Sequence, residues 1–84
     1  MCQQTYDEKL QAALEDIKQE VISAKRVYKD PFVNEHEAYA VILEEVDELW
    51  AEIKKNQKIY DLAAQRKEAK QAAAMLVRLM VELL

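Results

Sequence analysis

The sequence predicts an all-α chain whose helices form a single domain, residues 1–84, that assembles into a helical-bundle dimer or tetramer. The chain contains no glycine and only one proline, so tight turns are few. Hydrophobic residues make up 51% and charged residues 33%, a balance typical of amphipathic helices rather than of disordered segments. Along much of the chain, apolar residues recur three and four positions apart, which is the spacing of one helical face.

The first helix is predicted from about residue 6 to residue 28. Thr5 and Glu8 have the spacing of a capping box, in which each side chain binds the backbone N–H of the other residue. Asp30 precedes Pro31, and the residue before a proline avoids the helical conformation, so this pair ends the helix. The apolar residues of the segment form a narrow seam of coiled-coil type: Leu10, Leu14, Ile17, Val21, Ala24 and Tyr28.

The second helix is predicted to begin at Asn34, which is a good N-cap, and to run to about residue 55. Glu37 stands at its third helical position. Its apolar face consists of Ala38, Ile42, Val46, Leu49 and Ile53. A polar break at residues 56–60 separates it from a third helix over about residues 61–84.

The second half of the third helix, residues 72–84, is apolar almost all the way round. Such a helix must be buried on most sides, and a chain of three helices is too small to surround it. Cys2 is the only cysteine, so neither a disulfide nor a four-ligand zinc site can reinforce so small a core. We therefore expect a second copy of the chain to cover this helix, in a homodimer or homotetramer.

Charge and hydropathy argue against two other kinds of partner. The net charge is −4, with no basic stripe, so nucleic-acid binding is not expected. The N-terminal stretch is polar and acidic, and no signal peptide is visible. The longest apolar stretch is broken by Arg78 and Glu82 and is too short to span a bilayer. These features predict a cytoplasmic protein without a membrane partner.

A run of acidic residues lies on the second helix, within HEAYAVILEEVDELWAEI. At about 100° per residue, Glu45 lies at the margin of the apolar face, and Glu48 and Glu44 follow round one flank. Glu44 and Glu48 are a like-charge i,i+4 pair, which costs stability, and few basic residues lie nearby to relieve it. Mg²⁺ prefers carboxylate oxygens together with water and substrate phosphates. The run therefore predicts a site for a divalent cation.

Glu68 flanks the apolar stripe of the third helix much as Glu45 flanks its own. That stripe consists of Ala69, Ala72, Leu76, Leu79 and Leu83. Packing of the two stripes against each other would bring Glu68 beside Glu45 and Glu48. The alternative interpretation is a solvated acidic face, which is the commoner origin of glutamate runs on helices. The flanking aromatic residues Tyr39 and Trp50 are interpreted as core or interface residues in preference to base-stacking ones.

The stretch EAYAVILEEVDELWAEI, with Glu44, Glu45 and Glu48, resembles the EExxE motif of MazG-like all-α nucleoside triphosphate pyrophosphohydrolases. A later stretch, KEAKQAAAMLVRLM at residues 67–80, resembles the second conserved helix of small phage-type members of this family. The two stretches cover roughly residues 35–80, and the segment between them is poorly matched.

This resemblance implies a Mg²⁺-dependent enzyme, with Mn²⁺ as an alternative ion, that forms a helical dimer or a dimer of dimers. The substrate would be a nucleoside triphosphate, cleaved between its α and β phosphates into a monophosphate and pyrophosphate. Glu44, Glu45 and Glu48 would be the metal ligands of the first motif, and Glu68 would open the second motif, ExxD. At the position of the family's Asp this chain has Gln71, whose amide oxygen carries no charge.

In a metal-assisted hydrolysis of this kind, Glu45 is the glutamate that we expect to act as the catalytic base and to accept a proton from water. No organic cofactor is expected. An alternative function is a catalytically impaired or inactive helical dimer that serves as an interaction or nucleotide-binding module, with Gln71 marking the lost site. A regulatory or antitoxin-like protein is a third interpretation, disfavoured by the weak basic character of the chain.

Overall fold

The structure is a computed structural model that describes residues 3–55 and 61–84, and over these ranges the chain is helical with no strand. Helix α1 is Tyr6–Val27, α2 is Glu35–Ile53 and α3 is Leu62–Glu82. The all-α prediction is therefore confirmed, and each predicted boundary lies within about two residues of the observed one. The predicted polar break at residues 56–60 lies outside the described residues.

Each helix begins at a side-chain cap that the sequence contains. At α1 the Thr5 hydroxyl accepts the Glu8 N–H at 3.1 Å, and the Glu8 carboxylate accepts the Thr5 N–H at 3.4 Å, which confirms the capping box. At α2 the Asn34 side chain accepts the Glu37 N–H at 2.9 Å. Asp61 caps α3 in the same way. These bonds satisfy backbone donors that a helix leaves unpaired at its start.

Helix α3 is the centre of the arrangement. It packs on both α1 and α2, whereas α1 and α2 have no backbone contact with each other in the described ranges. The Cα radius of gyration is 14.6 Å, compared with about 12 Å for a compact chain of this length. The chain is thus an open layer of helices in which α3 lies in the middle, and this layer has two faces.

The hydrophobic core of the described chain is small. Its buried apolar residues are Phe32, Ala38, Ile42, Ala72 and Ala74. Of the predicted apolar face of α2, Ala38 and Ile42 are buried, whereas Val46 and Ile53 are 43% and 45% exposed. Ala38 and Ile42 are the buried residues of α2, and at about 100° per residue Val46 and Ile53 lie about 60° and 40° round the helix from the line that joins them. The predicted seam of α1 is likewise only half covered, since Leu14 is 50% exposed.

The segment between α1 and α2 is fastened to the far end of α3. Phe32 is buried, and its backbone N–H donates to Glu82 Oε1 at 2.8 Å. Arg78 donates to the same carboxylate at 2.8 and 3.2 Å and lies over the Phe32 ring, 4.3 Å from its centroid. The Arg78–Glu82 pair and the cation–π contact therefore hold this connection against α3.

Candidate metal centre

Three glutamates from two helices converge on one side of the layer. Glu45 and Glu48 stand one turn apart on α2, and Glu68 faces them from α3. One carboxylate oxygen from each residue lies within 4.8 Å of the other two. Glu45 and Glu68 are half-buried, while Glu48 is exposed. The side chains that the two apolar stripes were expected to bring together are thus adjacent, and we call them the carboxylate cluster.

Two oxygens of the carboxylate cluster lack hydrogen-bond partners. Oε2 of Glu45 and Oε2 of Glu68 are shielded from solvent and accept no hydrogen bond from the described part of the chain. A shielded carboxylate oxygen without a donor costs free energy. A proton or a bound cation would relieve that cost.

The carboxylate cluster also perturbs its own protonation. Burial raises the pKa of Glu45, and the neighbouring charges of Glu48, Glu68 and Glu20 raise it further. Burial likewise raises the pKa of Glu68, again reinforced by Glu48. The cause is the same for both groups, because a desolvated carboxylate surrounded by other carboxylates resists ionisation. The clustered carboxylates therefore hold protons more tightly than separate glutamates do.

Not all predicted ligands belong to the cluster. Glu44 is exposed and stands outside the group of converging oxygens in the described chain. It lines a larger cavity of about 810 Å³ that also includes Glu45, Met75, Arg78 and the segment between α1 and α2. The assignment of all four glutamates as metal ligands stays a prediction, but the geometry favours Glu45, Glu48 and Glu68 over Glu44.

A smaller cavity joins the carboxylate cluster to α1. Its volume is about 260 Å³, and it is lined by Glu20, Ser23, Ala24, Val27, Tyr28, Glu45, Gln71 and Met75. Val27, Tyr28, Glu45 and Met75 line both cavities, so the two form one cleft above α3. We call this side of the layer the cleft face. Gln71 lines the cleft together with Glu45.

Sequence reasoning missed two residues of the cleft. Glu20 belongs to α1, for which no site residue was predicted, yet its charge acts on Glu45. It stands at the edge of the α1 seam, between Ile17 and Ala24, and the criterion that singled out Glu45 would have found it. Arg78 was interpreted only as an interruption of an apolar helix, but it is 4% exposed and lines the larger cavity.

Comparisons with known proteins leave the family open: no family model, curated protein or solved structure matches the chain. None of the helices in residues 3–55 and 61–84 is long and apolar enough to cross a membrane.

Proposed function

We propose that this protein is a Mg²⁺-dependent nucleoside triphosphate pyrophosphohydrolase that binds its metal at the carboxylate cluster. The observation that carries the proposal is the pair of shielded oxygens on Glu45 and Glu68 that have no hydrogen-bond donor. They lie within a group of three carboxylates, of which Glu45 lines the cleft. An acidic group alone is common on helical surfaces, whereas shielded and unpaired oxygens on two helices favour a cation.

The donor set suits Mg²⁺. This ion is hard, takes oxygen ligands, and binds proteins through one or a few carboxylates while water and substrate phosphates fill its other positions. Glu45, Glu48 and Glu68 would hold it. Bound Mg²⁺ supplies positive charge that neutralises phosphate oxygens and makes water more acidic. An acidic cleft in a chain of net charge −4 would otherwise repel a triphosphate.

The proton transfer that hydrolysis requires would be carried out by side chains of the protein. Glu45 borders the cleft and has a raised pKa because of burial and neighbouring acids. A carboxylate of that kind is suited to accept a proton from the attacking water near neutral pH. Gln71 lies beside it with a neutral amide, so we expect weaker metal binding than an Asp at this position would give. The substrate class rests on the resemblance of the two glutamate motifs.

A homo-oligomer in the cytoplasm is part of the proposal. Exposed apolar side chains such as Leu76, 47% exposed, and Trp50, 56% exposed, favour an assembly of at least two chains. A dimer and a dimer of dimers both satisfy this requirement.

The first test is metal binding. Millimolar Mg²⁺ or Mn²⁺ should raise the melting temperature, because the ion binds only the folded cluster. Glu45→Gln should remove most of that rise. Asp47→Asn is the matched control, since Asp47 lies on α2 but outside the cluster, and it should keep the full response. The site assignment fails if divalent ions stabilise the protein no more than NaCl of equal ionic strength.

The second test is activity. A panel of ribonucleoside and deoxyribonucleoside triphosphates is assayed for pyrophosphate release with and without Mg²⁺. Release that requires Mg²⁺ and is lost in Glu48→Gln supports the hydrolase. Metal binding without release from any nucleotide would instead identify the alternative, an inactive module that retains the cation site.

A further inference from the structure

The side of the layer opposite the cleft carries two rows of exposed apolar side chains, and we call it the back face. The row on α2 consists of Tyr39, Leu43, Val46, Trp50 and Ile53, and the row on α3 consists of Leu62, Leu76 and Met80. The α2 row alternates four and three residues apart, which is the seam spacing by which one helix packs against another in a coiled coil.

Helical geometry places both rows away from the carboxylates. At about 100° per residue, the α2 row is centred roughly 180° from Glu48. On α3, Leu76 and Met80 lie about 140° to 180° from Gln71, which lines the cleft. Because α2 and α3 pack side by side, the two rows share one surface. The layer therefore has an acidic, concave cleft face and a back face on which apolar side chains form two rows.

The chain exposes more surface than a compact monomer of its mass does. The chain exposes 6837 Å², whereas a compact monomer of this mass exposes about 5,200 Å². The difference is roughly 1,600 Å². Obligate homodimers bury about 1,000–2,500 Å² on each partner. The surplus is thus of the size that one partner in such a dimer covers, and a single layer of helices needs a second layer to complete a core.

We infer that a second copy of this chain docks on the back face, so that the two layers bury their apolar rows against each other and turn their clefts outward. A two-fold dimer makes the same patch meet itself, and an uncharged apolar row is compatible with its own copy. A lipid surface fits less well, because membrane-binding helices flank their apolar face with lysine and arginine and this chain is acidic. The inference rests on the homo-oligomer of the proposed function and assigns its interface, but it uses none of the carboxylates, so loss of the dimer and loss of metal binding are measured separately.

Neighbouring residues of α3 provide a matched pair of variants. Met80 is 65% exposed on the back face, and Val81 is 75% exposed on another side of the same helix. Sedimentation velocity at micromolar concentration should show a dimer or a multiple of it for the wild type and for Val81→Glu. Met80→Glu should be shifted to the monomer, or at least tenfold weaker in association. A monomeric wild type, or equal losses in both variants, would overturn the inference.

The single tryptophan gives a second readout that needs no substitution. Trp50 lies in the middle of the α2 row and is 56% exposed in one chain. In a back-face dimer its fluorescence should be blue-shifted and protected from acrylamide quenching, and dilution below the dissociation constant should reverse both effects. This result stays decisive if Met80→Glu fails to fold. An oligomer in which Trp50 remains fully quenchable would place the contact elsewhere and overturn the inference.

Discussion

The two halves of α3 carry opposite arrangements of charge: a group of like charges near its start and a pair of opposite charges near its end. Near its start, Glu68 meets Glu45 and Glu48, so like charges are gathered and left without a donor. Near its end, Arg78 and Glu82 form a buried pair whose side chains are 5% and 8% exposed. The pKa of Glu68 is raised by burial, and that of Glu82 is lowered by its hydrogen bond from Arg78. The carboxylate cluster destabilises the metal-free fold, whereas the Arg78–Glu82 pair stabilises it.

On this one helix, the residues proposed to bind a cation are separate from the residues that stabilise the fold. A group of like charges gains free energy only when a cation or protons arrive. A buried opposite-charge pair is already satisfied, and removing one member leaves the other desolvated and alone. Substitutions at the two ends should therefore have effects of opposite sign.

The largest effect is expected at the paired end. Glu82→Ala leaves the Arg78 guanidinium buried without its carboxylate and the Phe32 N–H without an acceptor. We expect the free energy of unfolding to fall by roughly 3 kcal/mol, measured by urea denaturation at one fixed protein concentration. Glu52→Ala is the control, because it breaks an exposed pair with Lys55; its loss should be much smaller. Equal losses would contradict the contrast.

At the like-charge end, the opposite sign is expected. Glu68→Gln removes one of the clustered charges and introduces an amide that can donate to Glu45 or Glu48. Without metal, the free energy of unfolding should rise by about 0.5–1 kcal/mol, whereas the stabilisation by Mg²⁺ should be lost. Glu44→Gln, one residue outside the cluster, should change neither quantity appreciably. Thermal denaturation with and without Mg²⁺ measures both, and a destabilised metal-free Glu68→Gln would reverse the interpretation.

The pH dependence should distinguish the two ends by sign. The raised pKa values of Glu45 and Glu68 stabilise the metal-free fold below the ordinary glutamate value of 4.5, and this contribution is lost as pH rises through the raised values. The lowered pKa of Glu82 gives a contribution that is present above 4.5 and is lost as pH falls through the lowered value. Relative to wild type, Glu68→Gln should thus gain stability with rising pH, and Glu82→Gln should lose it. Unfolding measured across the acidic range would refute this if both differences had the same sign.

The smallest effect on the free energy of unfolding is expected at Gln71, which lies on α3 between Glu68 and Arg78. Gln71→Asp adds a further acid beside Glu45 in the cleft. The metal-free protein should lose a few tenths of a kcal/mol, and the Mg²⁺ concentration that gives half of the thermal stabilisation should fall severalfold. Gln71→Asn is the control, because it alters side-chain length without adding charge. An unchanged Mg²⁺ requirement in Gln71→Asp would show that this position does not contact the ion.

Local signals predicted most of the secondary structure. Thr5 with Glu8, and Asn34 with Glu37, mark helix starts through contacts three residues apart, so the sequence contains all the information they need. The meeting of Glu45 with Glu68 was also predictable, because Glu45 borders the stripe of Ala38 and Ile42 and Glu68 lies one turn before Ala72, and these apolar residues are buried.

The choice of the inner face of α2 was not predictable in the same way. This helix has two apolar rows, one through Ala38 and Ile42 and one through Leu43 and Trp50, and periodicity cannot tell which of them packs inside the chain. Ala72 on α3 is buried, as are Ala38 and Ile42 on α2, and such small side chains allow two helices to approach closely. The burial of Arg78 likewise depends on the position of Phe32, which is distant in the sequence, so local sequence patterns cannot predict it.

The central position of α3 has a consequence for the order in which the protein is made. Helices α1 and α2 emerge first from the ribosome, and in the folded chain they share no backbone contact in the described ranges. Isolated helices of their length are marginal in water. The polar contacts that tie α3 to the earlier residues, Asp16–Arg66 and Phe32–Glu82, each span 50 positions. We therefore expect tertiary structure to form only after α3, the last of the three helices, has been translated.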